Sequence, residues 1–137
     1  MTGPSHRVLS ESEVLSRLKS RRGQPGYLAM FSSWLGGVIT DPALMQIPLD
    51  DHLVHRGHGV FDTCTLSGGN LYRLGVHMDR LLTSAALARI EHSWTKEDLI
   101  QMVMDTASHA RVKDGAVRYW LTAGPGGFSP SPQECDE

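Results

Sequence analysis

The sequence predicts an α+β fold, an antiparallel sheet with flanking helices, and two observations carry that prediction. Strand-like stretches at 27–34 and 38–40, and again at 60–66 and 71–74, are joined through Gly36-Gly37 and Ser67-Gly68-Gly69-Asn70, tight turns that return a strand antiparallel to its neighbour. Two longer stretches, starting near Val76 and Thr95, change to helical spacing of their apolar residues.

Ser10-Glu11-Ser12-Glu13 has the form of a capping box and opens a short helix through Lys19, with Val14, Leu15 and Leu18 on one face. Arg21-Arg22-Gly23-Gln24-Pro25-Gly26 breaks it, because glycine and proline cannot continue a helix. After the first hairpin, Asp41-Pro42 begins a connection, and Pro48 makes 43–49 an edge or irregular segment.

His52, His55 and His58 follow, three apart. Imidazoles suit a metal ion, but this spacing aligns them only in a helix, and Gly57 and Gly59 argue against one. No cysteine pair supplies further ligands, so the reading is a polar loop and no metal.

In the strand 60–66, Phe61, Thr63 and Thr65 face one way, and Val60, Asp62, Cys64 and Leu66 the other. Asp62 thus stands on the more apolar face, where a carboxylate belongs either to a site or to an exposed strand end. The helix from Val76 to about Ile90 carries a stripe of Met78, Leu81, Leu82, Ala85 and Ala88, and Arg80 lies beside it. By position alone Arg80 is a solvated or salt-bridged surface residue. Thr95-Lys96-Glu97-Asp98 starts a second helix to near Arg111, with Leu99, Ile100, Val103, Met104 and Ala107 facing the core and Met102 and Met104 as core filling.

Asp114-Gly115 turns into a strand at 116–123, with Val117, Tyr119 and Leu121 on one face and Ala116, Arg118, Trp120 and Thr122 on the other. Arg118 either meets an anion or reaches water past Trp120. Gly124-Pro125-Gly126-Gly127 is a loop, since no helix pattern follows it, and Ser129-Pro130-Ser131-Pro132 reads as a linker.

A formal charge of -2 gives no electrostatic reason to expect nucleic acid or an anionic membrane as partner. Cys64 and Cys135 make no disulfide framework, which suits a reducing compartment. No apolar run has the length of a membrane span, the start lacks a secretory core, and Glu11 and Glu13 make it a poor transit peptide. The cytoplasm is the expected location, with the chloroplast open to a longer precursor.

Gly59-Val60-Phe61-Asp62, then His77-Met78-Asp79-Arg80-Leu81 with Ser84 and Ala85 soon after, together with VRYWLTAGPGG, resemble the fold-type IV pyridoxal-phosphate (PLP) enzymes. That group includes branched-chain aminotransferases, D-amino-acid aminotransferases and 4-amino-4-deoxychorismate lyase, and the chain is most similar to the plant-type D-amino-acid aminotransferase and lyase group. The resemblance implies PLP as cofactor, with Arg80 on its phosphate, because a guanidinium fork matches phosphate oxygens. It implies Arg118, Phe61 and Arg56 at the substrate side, an amino acid and a 2-oxo acid as substrates, and a homodimer as the complete enzyme.

It further implies that 1–26 is an N-terminal helix and linker, 27–128 the small domain, and 129–137 the remnant of an interdomain linker whose second domain is absent. The family's Schiff-base lysine belongs to that second domain. Lys19, Lys96 and Lys113 are the only lysines here and none stands in its motif, so no catalytic residue is assigned. Three readings remain: a truncated aminotransferase, a truncated lyase, or a non-catalytic module that associates with a full-length subunit.

Overall fold

A central strand with a partner on each edge organises the molecule. The computed structural model describes residues 6–20 and 26–128. Strand β3 (Gly59–Ser67) pairs antiparallel with β4 (Asn70–Leu71) on one side and with β5 (Gly115–Thr122) on the other. A separate hairpin joins β1 (Met30–Ser32) to β2 (Gly37–Ile39). Helices α1 (Glu11–Ser20), α2 (His52–Arg56), α3 (Leu74–Leu87) and α4 (Lys96–Ala110) complete an α+β fold.

The alternation in β3 decides which face is covered. Asp62, Cys64 and Leu66 are buried, while Phe61 and Thr65 are exposed. Helix α3 lies across the buried face and α4 packs on α3, so Cys64, Leu74, Met78, Leu81, Ala85, Ile90, Leu99, Val103 and Leu121 form one core. Both expected capping boxes are present. Glu13 N–H donates to Ser10 Oγ at 3.3 Å, Ser10 N–H to Glu13 Oε2 at 3.0 Å, and Thr95 and Asp98 exchange the same pair of bonds at the start of α4.

Four expectations need correction. The stretch 27–34 yields only three strand residues, because Gly36 N–H bonds back to Ser33 O and the partner strand ends before Asp41, which caps a 3-10 turn at Pro42–Leu44. The return strand 71–74 stops at Leu71, since Arg73 turns left-handed at φ 51° and starts α3 at Leu74, two residues before Val76. The histidine stretch is not a loop: Asp51 accepts from Leu53 N–H at 2.8 Å and caps α2, and Gly57, at φ 65°, ends it. Glycine here terminates the helix and does not forbid it. Met104, expected in the core, is 48% exposed, because the buried face of α4 runs through Leu99, Val103 and Ala107. The linker expected at 129–132 and the helix break at 21–25 lie outside the described residues.

Candidate functional site

Asp62 is the buried anchor of the first cluster. Its inward position on β3 puts a carboxylate, 4% exposed, beneath the first two turns of α3. His77 and Arg80, three residues apart on that helix, share a face and reach it together. Arg80 Nε donates to Asp62 Oδ2 at 2.7 Å and Arg80 Nη2 to Oδ1, a forked pair, while His77 Nδ1 is 3.3 Å from Oδ1. Thr63 N–H adds a bond to Oδ1 at 2.6 Å.

The electrostatics follow from those contacts. Above all the Arg80 bond, then the Thr63 and His77 bonds, hold the Asp62 carboxyl down to about 2 although burial pushes it up. Burial, with Asp62 close by, pushes up the Cys64 thiol, which donates to Tyr72 O at 3.2 Å. The same two causes raise the Tyr119 phenol, whose residue faces Asp62 across the β3–β5 ladder. Arg80 is held at its inner edge only: its side chain is 66% exposed against 2% for Asp62. Of the five N–H donors of a guanidinium, two go to Asp62 and Nη2 also lies 3.5 Å from His77 Nδ1, which leaves the two donors of Nη1.

The second cluster lies on the opposite, open face of the same strand. Thr63 faces Arg118 and Phe61 faces Trp120 in the register. Arg118 Nε donates to Thr63 Oγ1 at 3.1 Å and its guanidinium lies 5.1 Å from the centroid of the Phe61 ring. Phe61 and Trp120 are 60% and 49% exposed, so this face is an aromatic surface with a fixed cation in it.

Arg56 belongs to a third group, where α2 meets the loop after β5. Asp51 and Pro125 form a bridge, His52 N–H donates to Gly124 O at 2.9 Å, and Gly126 N–H donates to Asp50 O at 3.0 Å. Asp51 caps α2 with one oxygen and accepts from Thr122 Oγ1 with the other, at 3.0 Å. Arg56 Nη2 reaches Gly127 O at 3.5 Å, and the His55 ring lies 4.6 Å from that of Phe128. The third histidine of the series turns elsewhere, its Nε2 2.8 Å from Ala88 O at the end of α3. No group of three or more metal-ligating side chains gathers among the described residues.

The structure therefore brings Arg118 to Phe61, and Arg80 to Asp62 and His77, and it sets Arg56 apart on the α2 side. Asp51 and Thr122 carried no role in the sequence reading. The signal was present, since Asp51 and Gly57 bracket five residues and an aspartate before and a glycine after such a stretch are a helix start and stop. Of the lysines, Lys96 is paired with Asp79 on the outer side of α3, and Lys19 lies on α1. No helix of the described residues is long and apolar enough to cross a membrane.

The model of the class IV amino-transferases matches residues 59–137. A chloroplastic D-amino-acid transaminase of Arabidopsis thaliana is 51% identical over 128 residues, covering 93% of this chain and 34% of the relative. A branched-chain aminotransferase from Thermoproteus uzoniensis superposes with a TM-score of 0.61 at 22% identity, over 72% of this chain and 34% of its own. A 4-amino-4-deoxychorismate lyase from Pseudomonas aeruginosa gives 0.52 at 24% identity, over 65% and 32%. The chain spans about a third of the length of these relatives.

Proposed function

The chain belongs to the class IV aminotransferase family, and from that premise we propose that it supplies the phosphate-holding part of a PLP-dependent site for amino transfer between an amino acid, including D-amino acids, and a 2-oxo acid. The observation that carries this reading is the Arg80 guanidinium, tied down along one edge and open along the other. Such a donor set fits a phosphate, whose oxygens accept from a planar fork. PLP, once bound, supplies the electron sink for the chemistry at the amino-acid α-carbon.

The remaining roles fall to this chain's own groups. Arg80 binds the phosphate. Arg118 binds and orients the substrate carboxylate, its guanidinium kept in place by Thr63 and the Phe61 face, and Phe61 keeps water from that side. Arg56, close to Gly127, bounds the substrate side near the loop after β5. No lysine of residues 1–137 is assigned to the cofactor, and the reading places that lysine in a second domain joined through 129–137. The exposed side chains of Trp34, Leu49 and Phe128 suit cover by such a domain or by the second subunit of a homodimer. The compartment follows the Arabidopsis relative: a plastid if a longer precursor carries the chain there, otherwise the cytoplasm.

The test is an assay of amino transfer by the holoenzyme containing this chain, with D- and L-amino acids against 2-oxo acid acceptors, beside Arg80→Ala. Transfer and PLP retention that both depend on Arg80 support the reading. Pyruvate release from aminodeoxychorismate without amino transfer moves the chain to the lyase reaction, whose fold it shares. PLP retention indifferent to Arg80 overturns the phosphate assignment.

A further inference from the structure

We infer that Asp62, with His77 behind it, is the positioning residue that gives Arg80 its affinity for a phosphate group. The inference rests on the proposed role of Arg80 and adds what makes that arginine effective. Arg80 stands on the outer side of α3 with a side chain 66% exposed, and a long cation so placed ordinarily samples many rotamers. Here two of its donors are engaged by a carboxylate that also accepts from Thr63 N–H, lies 3.3 Å from His77 Nδ1 and is buried inside the sheet–helix layer. Nη2 also lies 3.5 Å from His77 Nδ1, and Nη1 keeps both of its donors for an incoming anion. Arg80 reaches an anion with its rotamer already selected.

Two effects of Asp62 oppose each other. Its negative charge offsets that of Arg80 and weakens the long-range pull on an anion. Its two hydrogen bonds fix the fork and remove the ordering cost of binding. The exposed outer edge of Arg80 is in a high-dielectric setting, where the lost Coulomb attraction is small. Fixing a rotamer-rich side chain contributes up to about tenfold in affinity. Orientation is the larger effect, so removing the carboxylate weakens phosphate binding even though it leaves a net positive site.

Asp62→Asn separates the two. Asparagine keeps the shape but turns an NH2 donor toward the donors of Arg80, so one of the two bonds is lost. The experiment compares PLP with pyridoxal, which lacks the phosphate, as ligands of the cofactor-free form of the complete enzyme that contains this chain. The readouts are affinity by titration, folding by circular dichroism, and the Arg80 Nε–H resonance by nitrogen-15 NMR. The wild type prefers PLP, and Arg80→Ala abolishes that preference. Asp62→Asn, folded, lowers it by about tenfold and loses the exchange-protected Nε–H signal. Asp62→Glu restores part of both, because it returns a carboxylate. An Asp62→Asn variant that prefers PLP as strongly as the wild type, or more so, overturns the inference while Arg80 keeps its role. A PLP preference that survives Arg80→Ala, or is missing from the wild type, overturns the Arg80 assignment and this inference with it.

Discussion

Arg118 and Thr63 meet across the β3–β5 ladder, Nε to Oγ1 at 3.1 Å, and the same guanidinium lies over the Phe61 ring. One edge of the cation is thus fixed by a hydroxyl that carries no charge, which leaves its charge open for the role proposed for it at a substrate carboxylate. Arg118→Ala in the holoenzyme raises the KM for the amino acid by about thirtyfold, the equivalent of a charge-assisted hydrogen bond of about 2 kcal/mol. PLP retention is unchanged, because Arg80 is on the other face of β3. Cofactor loss in this variant, measured by absorbance after gel filtration, would show that the two arginines have been given the wrong roles.

The Asp62 pair makes stability depend on acid. The Arg80 guanidinium above all holds the Asp62 carboxyl down to about 2, below the usual carboxylate range, so the ionised form is favoured by folding. The contribution is fully present above about pH 4 and is lost as pH falls through about 2. Its size is on the order of 2 kcal/mol for a buried group shifted this far. Denaturant titrations of the wild type between pH 2 and 6 carry this step, and Asp62→Asn flattens it. An equally steep acid limb in the variant assigns the step to other carboxylates.

Period alone was enough for most of the fold. The alternation of Phe61, Asp62, Thr63 and Cys64 gave the two faces of β3, and the stripe of Met78, Leu81 and Ala85 gave the buried side of α3. Strand lengths were not legible, because where pairing ends depends on a partner: Gly37–Ile39 limits its neighbour to three residues whatever β-propensity the stretch 27–34 has. The α2 turn was hidden by reading Gly57 as a breaker when it is a terminator. The Asp62–Arg80 pair was half legible. Pattern put the carboxylate on an apolar face and demanded a partner, but eighteen residues and a turn separate the two, and only the packing of α3 on β3 joins them.

Asp51 joins α2 to the end of β5 by using its two oxygens for different elements. Asp51→Ala removes the cap and the Thr122 bond together, at a cost of about 1–2 kcal/mol. The loss is local. Amide exchange at His52 and Gly126, whose N–H groups bond across the junction, accelerates while amides of α3 keep their protection. Uniform acceleration across the chain would mean that the junction is part of the global folding unit.

Met78 and Met104 test where the core lies. Both stand on apolar stripes in the sequence, yet Met78 is 0% exposed among Cys64, Leu81 and Ala85, and Met104 is 48% exposed. Met78→Ala leaves a cavity between α3 and β3 and costs about 2–5 kcal/mol. Met104→Ala removes atoms that already touch water and helps the helix by its propensity, so the change stays within about 0.5 kcal/mol. Denaturant midpoints compare the two directly. A large loss at Met104 would mean that another surface covers it in solution, next to Leu66, Leu71 and Val112, which line the same shallow apolar groove. In that case the loss depends on protein concentration if the cover is a second copy, and is independent of it if the cover comes from the same chain.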